Sequence, residues 1–128
     1  MQNIVVCVTL QSTCERLINA AETIRKPEDA LFVLHVTGNG QAFLGGKDDG
    51  KTLEYLYEVA QKARADMTVQ HADDIAGAME AFVRQHDINV MILGTPPQGE
   101  SELIRRLRAD LAGVCRVLTV DKEKGVFL

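Results

Sequence analysis

The sequence predicts an open three-layer α/β sandwich, in which a five-stranded parallel sheet is covered by four helices. Three observations support this Rossmann-like fold class. Short apolar segments alternate with longer segments of helical periodicity along the whole chain. Three of the short segments are almost continuously hydrophobic, as in strands buried on both faces of a parallel sheet. The 128 residues are also about half the length that a closed eight-fold barrel needs.

Five segments have the length and the β-branched composition of strands. They alternate with helical segments, so successive parallel strands are expected to connect through right-handed crossovers. A sheet that starts in its middle has the strand order 3-2-1-4-5, which places strands one and four side by side. The predicted strands are 3–9 (NIVVCVT), 30–36 (ALFVLHV), 67–71 (MTVQH), 89–94 (NVMILG) and 114–120 (VCRVLTV).

Four segments between the strands carry apolar stripes at helical spacing. The third is preceded by Asp73 and Asp74, either of which is suited to cap the first turn of a helix. The stripes are Leu17, Ile18, Ala21 and Ile24; Leu53, Leu56, Tyr57, Ala60 and Ala63; Ile75, Met79, Phe82 and Val83; and Leu103, Ile104, Leu107 and Leu111.

Length, charge and hydropathy narrow the classes of function. The length and the 46% hydrophobic content indicate one domain over 1–128. A net charge of -4 and a pI near 5.3 argue against a nucleic-acid partner. The segment 1–10 has no basic region, and its apolar run is too short for a signal peptide or a membrane span. We therefore expect a cytoplasmic protein with no membrane contact.

The cysteines indicate neither a disulfide framework nor a metal site. Cys7, Cys14 and Cys115 are odd in number and lack C-x-x-C spacing. Cys14 falls near the start of the first helix, where the helix dipole could lower the pKa of its thiol. A redox-sensing role for Cys14 is therefore one hypothesis, and a cysteine that merely replaces serine at a helix start is the other.

The titratable residues do not form a catalytic constellation in the sequence. The acidic candidates fall at helix starts or on helix faces expected to be exposed, and the histidines are isolated, so we expect capping or solvation for each. No motif of a hydrolytic triad or zinc enzyme is present. We predict no catalytic residue and no enzyme activity. The residues considered are Glu15, Asp73, Asp74, Glu80, His35, His71 and His86.

Residues 45–52 (GGKDDGKT) match the phosphate-binding pattern G-x-x-x-x-G-K-[ST]. A functional loop of this kind begins directly after a buried strand, whereas Gly45 follows the predicted end of the second strand by about eight residues. Asp48 and Asp49 also place negative charge where phosphate would bind. We interpret 45–52 as part of a mobile, glycine-rich surface loop, with an ATPase acting through Lys51 and Thr52 as the less favoured alternative.

The predicted strand order indicates a different place for a ligand. Ligands of open α/β sheets bind beyond the carboxyl ends of the strands, where the strand order reverses. Here this point lies between the loops 9–13 and 94–101, and Arg105 or Arg106 could meet an anion nearby. The candidate nucleotide-binding residues are Thr9, Gln11, Ser12, Gly94, Thr95, Gly99 and Ser101.

Three stretches of the chain resemble the universal stress protein (UspA-like) family. They are NIVVCVTLQSTCERLINAA (3–21), LFVLHV (31–36) and HADDIAGAMEAFVRQHDINVMILG (71–94). The last is also similar to the stress-protein-like domain of KdpD-type potassium sensor kinases. The resemblance implies the adenine nucleotide alpha hydrolase-like version of the Rossmann-like fold.

The resemblance also implies how ATP would bind. Members that bind ATP have an aspartate at the end of the first strand and a G-x2-G-x9-G-[ST] loop after the fourth. The aspartate position falls on Thr9, and the loop positions fall on Gly94, Pro97, Leu107 and Arg108, of which Gly94 alone matches. Proline lacks an amide hydrogen, and the larger side chains prevent close approach of the backbone. The resemblance therefore implies a branch that does not bind ATP through the usual loop.

The resemblance further implies a homodimer through the last strand, 114–120. That segment is a long apolar edge with only Arg116 to deter pairing, and a two-fold pairing would cover it. The alternative is that the tail 121–128 folds back over the edge.

Taken together, the sequence predicts a non-enzymatic, universal-stress-protein-like regulatory or protective module that has no resident cofactor or metal and could also meet an unidentified protein partner. An adenine-nucleotide-binding switch, with weak binding of ATP or another adenine nucleotide, is the alternative.

Overall fold

The computed structural model describes residues 2–8, 11–37, 49–94, 102–121 and 125–127, with the backbone alone described for 11–16, 37, 49–53, 56, 121 and 125–127. Strands and helices alternate along the described residues up to 121, as the hydrophobic periodicity predicts. The elements are β1 (Asn3–Cys7), α1 (Gln11–Ile24), β2 (Ala30–Thr37), α2 (Asp49–Lys62), β3 (Asp66–His71), α3 (Ile75–Gln85), β4 (Val90–Gly94), α4 (Glu102–Asp110), β5 (Arg116–Asp121) and β6 (Gly125–Phe127).

The strands form one sheet in the order β3-β2-β1-β4-β5-β6. The first five strands of the chain run parallel to one another. The predicted five-stranded parallel sheet with the order 3-2-1-4-5 is therefore confirmed. The central pair joins β1 to β4, with Ile4 opposite Val90 and Val6 opposite Ile92.

The short strand β6 was not predicted from the sequence. It runs antiparallel to β5, with Val120 opposite Val126, and so covers the outer edge of β5. This is the second of the two alternatives for that edge, in which the tail folds back. The homodimer stays a prediction, but pairing through 114–120 would require β6 to leave β5.

The core has two parts, one on each face of the sheet. Side chains alternate between the faces of a strand, and both faces are apolar here. Ile4 and Val6 of β1 pack in the cluster that contains residues of α1 and α2. Val5 and Cys7 pack in the cluster that contains residues of α3 and α4. This explains why the sequence of β1 is continuously hydrophobic rather than alternating.

All four helices are short. α1 and α2 have 14 residues each, α3 has 11 and α4 has 9. Among the described residues, no helix is both long and apolar enough to cross a bilayer. α2 begins at Asp49, within the segment 45–52 that was predicted to belong to a surface loop.

The start of α3 confirms one of the two predicted caps. Asp74 is the N-cap residue, and its carboxylate accepts a hydrogen bond from the amide of Gly77 over 3.2 Å. A Cβ atom on Gly77 would lie 2.6 Å from Oδ2 of Asp74, so glycine allows the carboxylate to lie close to the helix backbone. The cap satisfies an amide that has no partner within the helix.

The amino end of the sheet is held by side chains that bind backbone groups. The Asn3 amide donates to Oδ1 of Asn89 over 2.8 Å, and Nδ2 of Asn3 donates to the carbonyl of His86 over 3.0 Å. The carboxylate of Asp29 accepts from the amides of Lys26 and Gln2, which holds its pKa below the ordinary value. These bonds join the starts of β1, β2 and β4.

Candidate functional site at the carboxyl end of the sheet

The centre of the sheet has the geometry of a ligand-binding switch point. β1 and β4 lie side by side and point the same way. After β1 the chain forms α1, which packs on one face of the sheet, and after β4 it forms α4, which packs on the other. The two connections therefore diverge, and the space between them is where open α/β sheets bind ligands. The adjacency of strands one and four, on which the predicted site depends, is confirmed.

The structure describes part of the predicted site. Gln11 and Ser12 form the start of α1, and Gly94 is the last residue of β4. The start of α1 and the end of β4 lie at the same end of the sheet, because β1 and β4 are parallel neighbours. Thr9, Thr95, Gly99 and Ser101 lie outside the described residues.

Gly94 is exposed, and packing does not require a glycine there. A Cβ atom at this position would lie 3.8 Å from Cδ2 of Leu17, which is an ordinary van der Waals contact. Leu17, the seventh residue of α1, therefore packs beside the end of β4. Gly94 is the one position where the family's phosphate loop is matched, and the structure leaves room for a ligand or a side chain beside it.

His35 lies at the same end of the sheet, and the environment predicted for its ring from the sequence is wrong. We expected solvation or capping, but the ring is buried at 4% exposure. Nδ1 lies 2.6 Å from the carbonyl oxygen of Val8. Because a carbonyl can only accept, Nδ1 carries the proton of a neutral ring, and burial lowers the pKa of His35. The continuous hydrophobic run around His35 was the signal, since both faces of such a strand are buried.

Arg106 has a structural partner, contrary to its predicted role near an anion. Its guanidinium makes two parallel bonds of 2.9 Å to the two carboxylate oxygens of Asp74. Its Nε also lies 3.4 Å from Asp110 and 3.6 Å from Glu80. The pair raises the pKa of Arg106 and lowers that of Asp74. Arg106 therefore joins α4 to the cap of α3, while Arg105 is exposed.

Glu80 is buried rather than on an exposed helix face, which corrects a second expectation. Glu80 is 9% exposed, and its side chain lies between Arg106 and Arg84. Its Oε1 is 4.0 Å from a guanidinium nitrogen of Arg84. Burial raises the pKa of Glu80, and the neighbouring Asp110 carboxyl adds to this, while the two arginines oppose it. Glu80 thus belongs to the contact between α3 and α4 and is 12% exposed in its side chain.

The structure describes the second half of the segment 45–52. Residues 49–52 form the start of α2, so the prediction of a surface loop is wrong for them, and 45–48 lie outside the described residues. A helix that starts near Lys51 and Thr52 is what a phosphate loop would need. β2 ends at Thr37, however, which leaves eleven residues before Asp49. A phosphate loop that follows its strand directly is shorter than this.

The described cysteines are structural. Cys7 and Cys115 are free and buried. Burial raises the pKa of Cys7 to about 12 and that of Cys115 to about 11, so neither is a thiolate at neutral pH. The side chain of Cys14 lies outside the described part of the chain. Over the described ranges, no group of three or more His, Cys, Asp or Glu residues is placed to hold a metal ion.

A separate cleft of about 200 Å³ lies between α1 and α2. Its floor is apolar, and its rim carries charged and amide groups. It opens on the face of the sheet opposite to α3 and α4. The lining residues are Ile18, Asn19, Glu22, Tyr55, Glu58, Val59, Lys62 and Ala63.

Comparison with known proteins identifies the architecture. No protein family profile matches the chain, and no curated protein matches it. Solved structures do match. A universal stress protein from Archaeoglobus fulgidus has a TM-score of 0.67 at 18% identity, over 93% of both chains. This is the universal stress protein fold.

Two further matches are nucleotide complexes. A universal stress protein in complex with cAMP has a TM-score of 0.60 at 15% identity, over 93% of this chain and 96% of its own. The universal stress protein from Archaeoglobus fulgidus in complex with dAMP has a TM-score of 0.60 at 16% identity, over 93% of this chain and 97% of its own. The resemblance to sensor kinases of the KdpD type stays a prediction.

Proposed function

We propose that this chain is a member of the universal stress protein family that acts as a non-enzymatic regulatory or protective module. The observation that carries the proposal is the match of the fold over 93% of both chains. The family and the function are inferred from this architecture together with the motifs in 3–21, 31–36 and 71–94.

The chemistry of the described side chains supports a non-enzymatic role. The carboxylate of Asp74 is bound by Arg106, and Glu80 lies in the same contact between helices. His35 and Cys7 are buried in the sheet, and burial moves their pKa values in the direction that keeps both neutral. Each of these groups thus has a role in packing or helix contact rather than a position facing a substrate.

Genetic complementation tests the proposal. Deleting the gene is expected to lower survival of the host after starvation or another growth-arresting stress, and a wild-type copy restores survival. Lys51→Ala should restore survival equally well, because the proposed role needs no ATP turnover. A deletion with no effect under any such stress would count against the protective role. Failure of Lys51→Ala alone would point to the ATPase alternative.

The second candidate function is an adenine-nucleotide-binding switch. It is favoured by the switch point between β1 and β4 and by the nucleotides present in two of the similar structures. The nucleotide would lie between loops 9–13 and 94–101, with Gly94 close to its phosphate. In the leading proposal, ATP does not bind there through the usual family loop, because three of its four loop positions are changed.

Thermal shift measurements with ATP, cAMP and dAMP separate the two candidates. A ligand at one hundred times its dissociation constant stabilises a protein by about 2.7 kcal/mol, which shifts the melting temperature measurably. Binding at the predicted site should be lost in Gly94→Asp, which places a negative charge beside the phosphate, and kept in Val114→Asp, a change on an exposed residue elsewhere. No shift with any of the three nucleotides at millimolar concentration would remove the switch.

The ATPase alternative has its own test. Magnesium-dependent release of phosphate from ATP should be absent from the wild-type protein in our proposal. Release that is present in the wild type and abolished by Lys51→Ala would establish the alternative instead.

A further inference from the structure

The contact between α3 and α4 brings together more negative than positive charge. Three carboxylates meet there, from Asp74 and Glu80 on the side of α3 and from Asp110 at the end of α4. Two guanidinium groups face them, Arg106 of α4 and Arg84 of α3. With every group ionised, the cluster therefore has one uncompensated negative charge. Glu80 is the carboxylate most removed from water, since its side chain is 12% exposed, against 43% for Asp110 and 58% for Asp74.

Arg106 donates its hydrogen bonds to the other two carboxylates. Nη1 and Nη2 each lie 2.9 Å from an oxygen of Asp74. Nε donates to Oδ2 of Asp110 over 3.4 Å, and it lies 3.6 Å from Oε2 of Glu80, which is too long for a hydrogen bond. Among the described residues, Oε2 of Glu80 is buried and has no hydrogen-bond partner. The ionised form of Glu80 therefore lacks a donor at this oxygen.

Arg84 does not replace the missing donor. Its guanidinium nitrogen is 4.0 Å from Oε1 of Glu80, and its side chain is 58% exposed, so water screens the pair. Burying a carboxylate without a hydrogen bond costs free energy, whereas a carboxylic acid has a proton of its own to donate. The geometry around Glu80 thus favours the protonated form.

The Asp110 carboxylate is placed to accept that proton in a hydrogen bond. The two carboxyl groups lie in hydrogen-bonding contact, on the same side of the Arg106 guanidinium. One proton held between two carboxyl groups replaces their mutual repulsion with a charge-assisted hydrogen bond. Burial acts in the same direction, because it raises the pKa of Glu80.

We propose that Glu80 and Asp110 bind one proton between them, and that this proton tightens the contact between α3 and α4 when the surroundings become more acidic. The proton comes from solvent and binds Oε2 of Glu80, which then donates it in a hydrogen bond to the Asp110 carboxylate. The cluster becomes neutral as a result. The pair titrates as a unit and needs neither a nucleotide nor a catalytic group, so it is separate from the function proposed above.

The sheet brings no competing charge to this pair. The strand residues that pack in the apolar cluster beneath α3 and α4 are uncharged, and they include Phe32 of β2. Burial raises the pKa values of the two thiols in that cluster, Cys7 and Cys115, to about 12 and about 11, so both stay neutral. His86, six residues beyond Glu80, packs on the ring of Phe82 with the centroids 4.2 Å apart.

Carbon-13 NMR of the Glu80 carboxyl group tests the shared proton and keeps its titration apart from that of any histidine. In the wild type, the measured pKa of Glu80 should lie above 4.5. Asp110→Asn should lower this pKa, because the partner carboxylate and its charge are lost. Arg84→Gln should raise it, because a positive charge that favours the carboxylate is lost. Asp66→Asn removes an exposed carboxylate on β3 and should leave it unchanged.

A double-mutant cycle tests whether the proton tightens the contact. Urea unfolding is measured for the wild type, Glu80→Met, Asp110→Ala and the double variant, each shown to be folded by circular dichroism. The coupling between the two residues should stabilise the protein at pH 4.5, where the proton is shared, and destabilise it at pH 8, where two carboxylates repel. A contact with a purely structural role would give the same sign at both pH values.

The two measurements overturn different parts of the proposal. A wild-type Glu80 pKa at or below 4.5, or one that Asp110→Asn does not lower, would overturn the shared proton. A coupling of the same sign at pH 4.5 and pH 8 would overturn the pH-sensitive contact. If the variants of Asp110 do not fold, Arg84→Gln on an exposed side chain still decides, since a Glu80 pKa that does not rise would place the two groups out of contact.

Discussion

The two helical layers close over the sheet in different ways. α3 and α4 are joined by Arg106, which binds the cap of α3, and Phe82 packs between Phe32 and His86 with ring centroids 5.8 and 4.2 Å away. α1 and α2 leave a cleft of about 200 Å³ between them. The α3–α4 layer is thus held by the hydrogen bonds of Arg106 at its surface. The α1–α2 layer has a cleft between its helices instead.

The two layers also differ in how exposed their aromatic side chains are. In the α3–α4 layer, Arg106 forms ion pairs with Asp74, Glu80 and Asp110, and the aromatic residue Phe82 is 2% exposed. In the α1–α2 layer, the aromatic residues Tyr55 and Tyr57 are 42% and 53% exposed. We therefore expect substitutions in the first layer to affect the free energy of unfolding and those of the exposed tyrosines in the second to affect it less.

Phe82→Ala should have the largest effect on stability. The ring is buried among apolar residues of α3, α4 and the sheet, so truncation leaves a cavity. The expected loss is about 3–5 kcal/mol in the free energy of unfolding, measured with urea. Tyr57→Ala in the other layer should cost less than about 1 kcal/mol. Equal losses for the two variants would break the distinction between the layers.

Asp74→Ala should have the next largest effect. It removes the helix cap and the partner of Arg106 together, and the melting temperature should fall by several degrees. Asp74→Asn keeps an oxygen that can cap the helix and should lose less. If the alanine and asparagine variants melt at the same temperature as the wild type, the contact between α3 and α4 does not depend on this residue.

Glu80→Gln should change stability in a pH-dependent way. The pKa of Glu80 is raised in the folded state, so its contribution is fully present below the ordinary value of 4.5 and is lost as the pH rises through the folded value. Glutamine does not ionise and avoids this loss. The variant should therefore gain stability relative to the wild type as the pH rises above 4.5. Glu54→Gln, an exposed change on α2, serves as the control; an equal pH profile for both variants would contradict the assignment.

Tyr55→Ala should have the smallest effect. Tyr55 lines the cleft between α1 and α2 and is partly exposed already, so little apolar surface returns to water when it is truncated. The free energy of unfolding should change by less than about 1 kcal/mol in urea titrations. A loss comparable to that of Phe82→Ala would show that the cleft is a tightly packed contact.

Most of the architecture could be predicted from the sequence because it depends on hydrophobic pattern. β1 and β4 are continuously apolar, and burial on both faces by helices gives a parallel sheet. The strand order could be predicted from a general rule of open sheets, without knowledge of specific side-chain contacts. The strand β6 escaped prediction because Gly125–Phe127 is three residues long and follows a charged stretch without hydrophobic alternation.

The side chains were harder to predict because their environment depends on residues distant in sequence. Glu80 looks like an exposed charge in a local window, but α4 covers it and supplies Arg106. His35 has no titratable neighbour in sequence, yet its partner is the carbonyl of Val8 on the adjacent strand. For the candidate site, the sequence could predict which end of the sheet it occupies, since that follows from strand order, but not the partners of Arg106.

The pairing of β1 with β4 also has a consequence for synthesis on the ribosome. Ile4 aligns with Val90, so the central contact of the sheet cannot form until most of the chain has left the ribosome. Before then β1, β2 and β3 can already pair with one another beneath α1 and α2, while the face that carries Val5 and Leu34 still awaits α3 and α4. The nascent chain thus passes through a half-covered sheet, the kind of species to which chaperones bind.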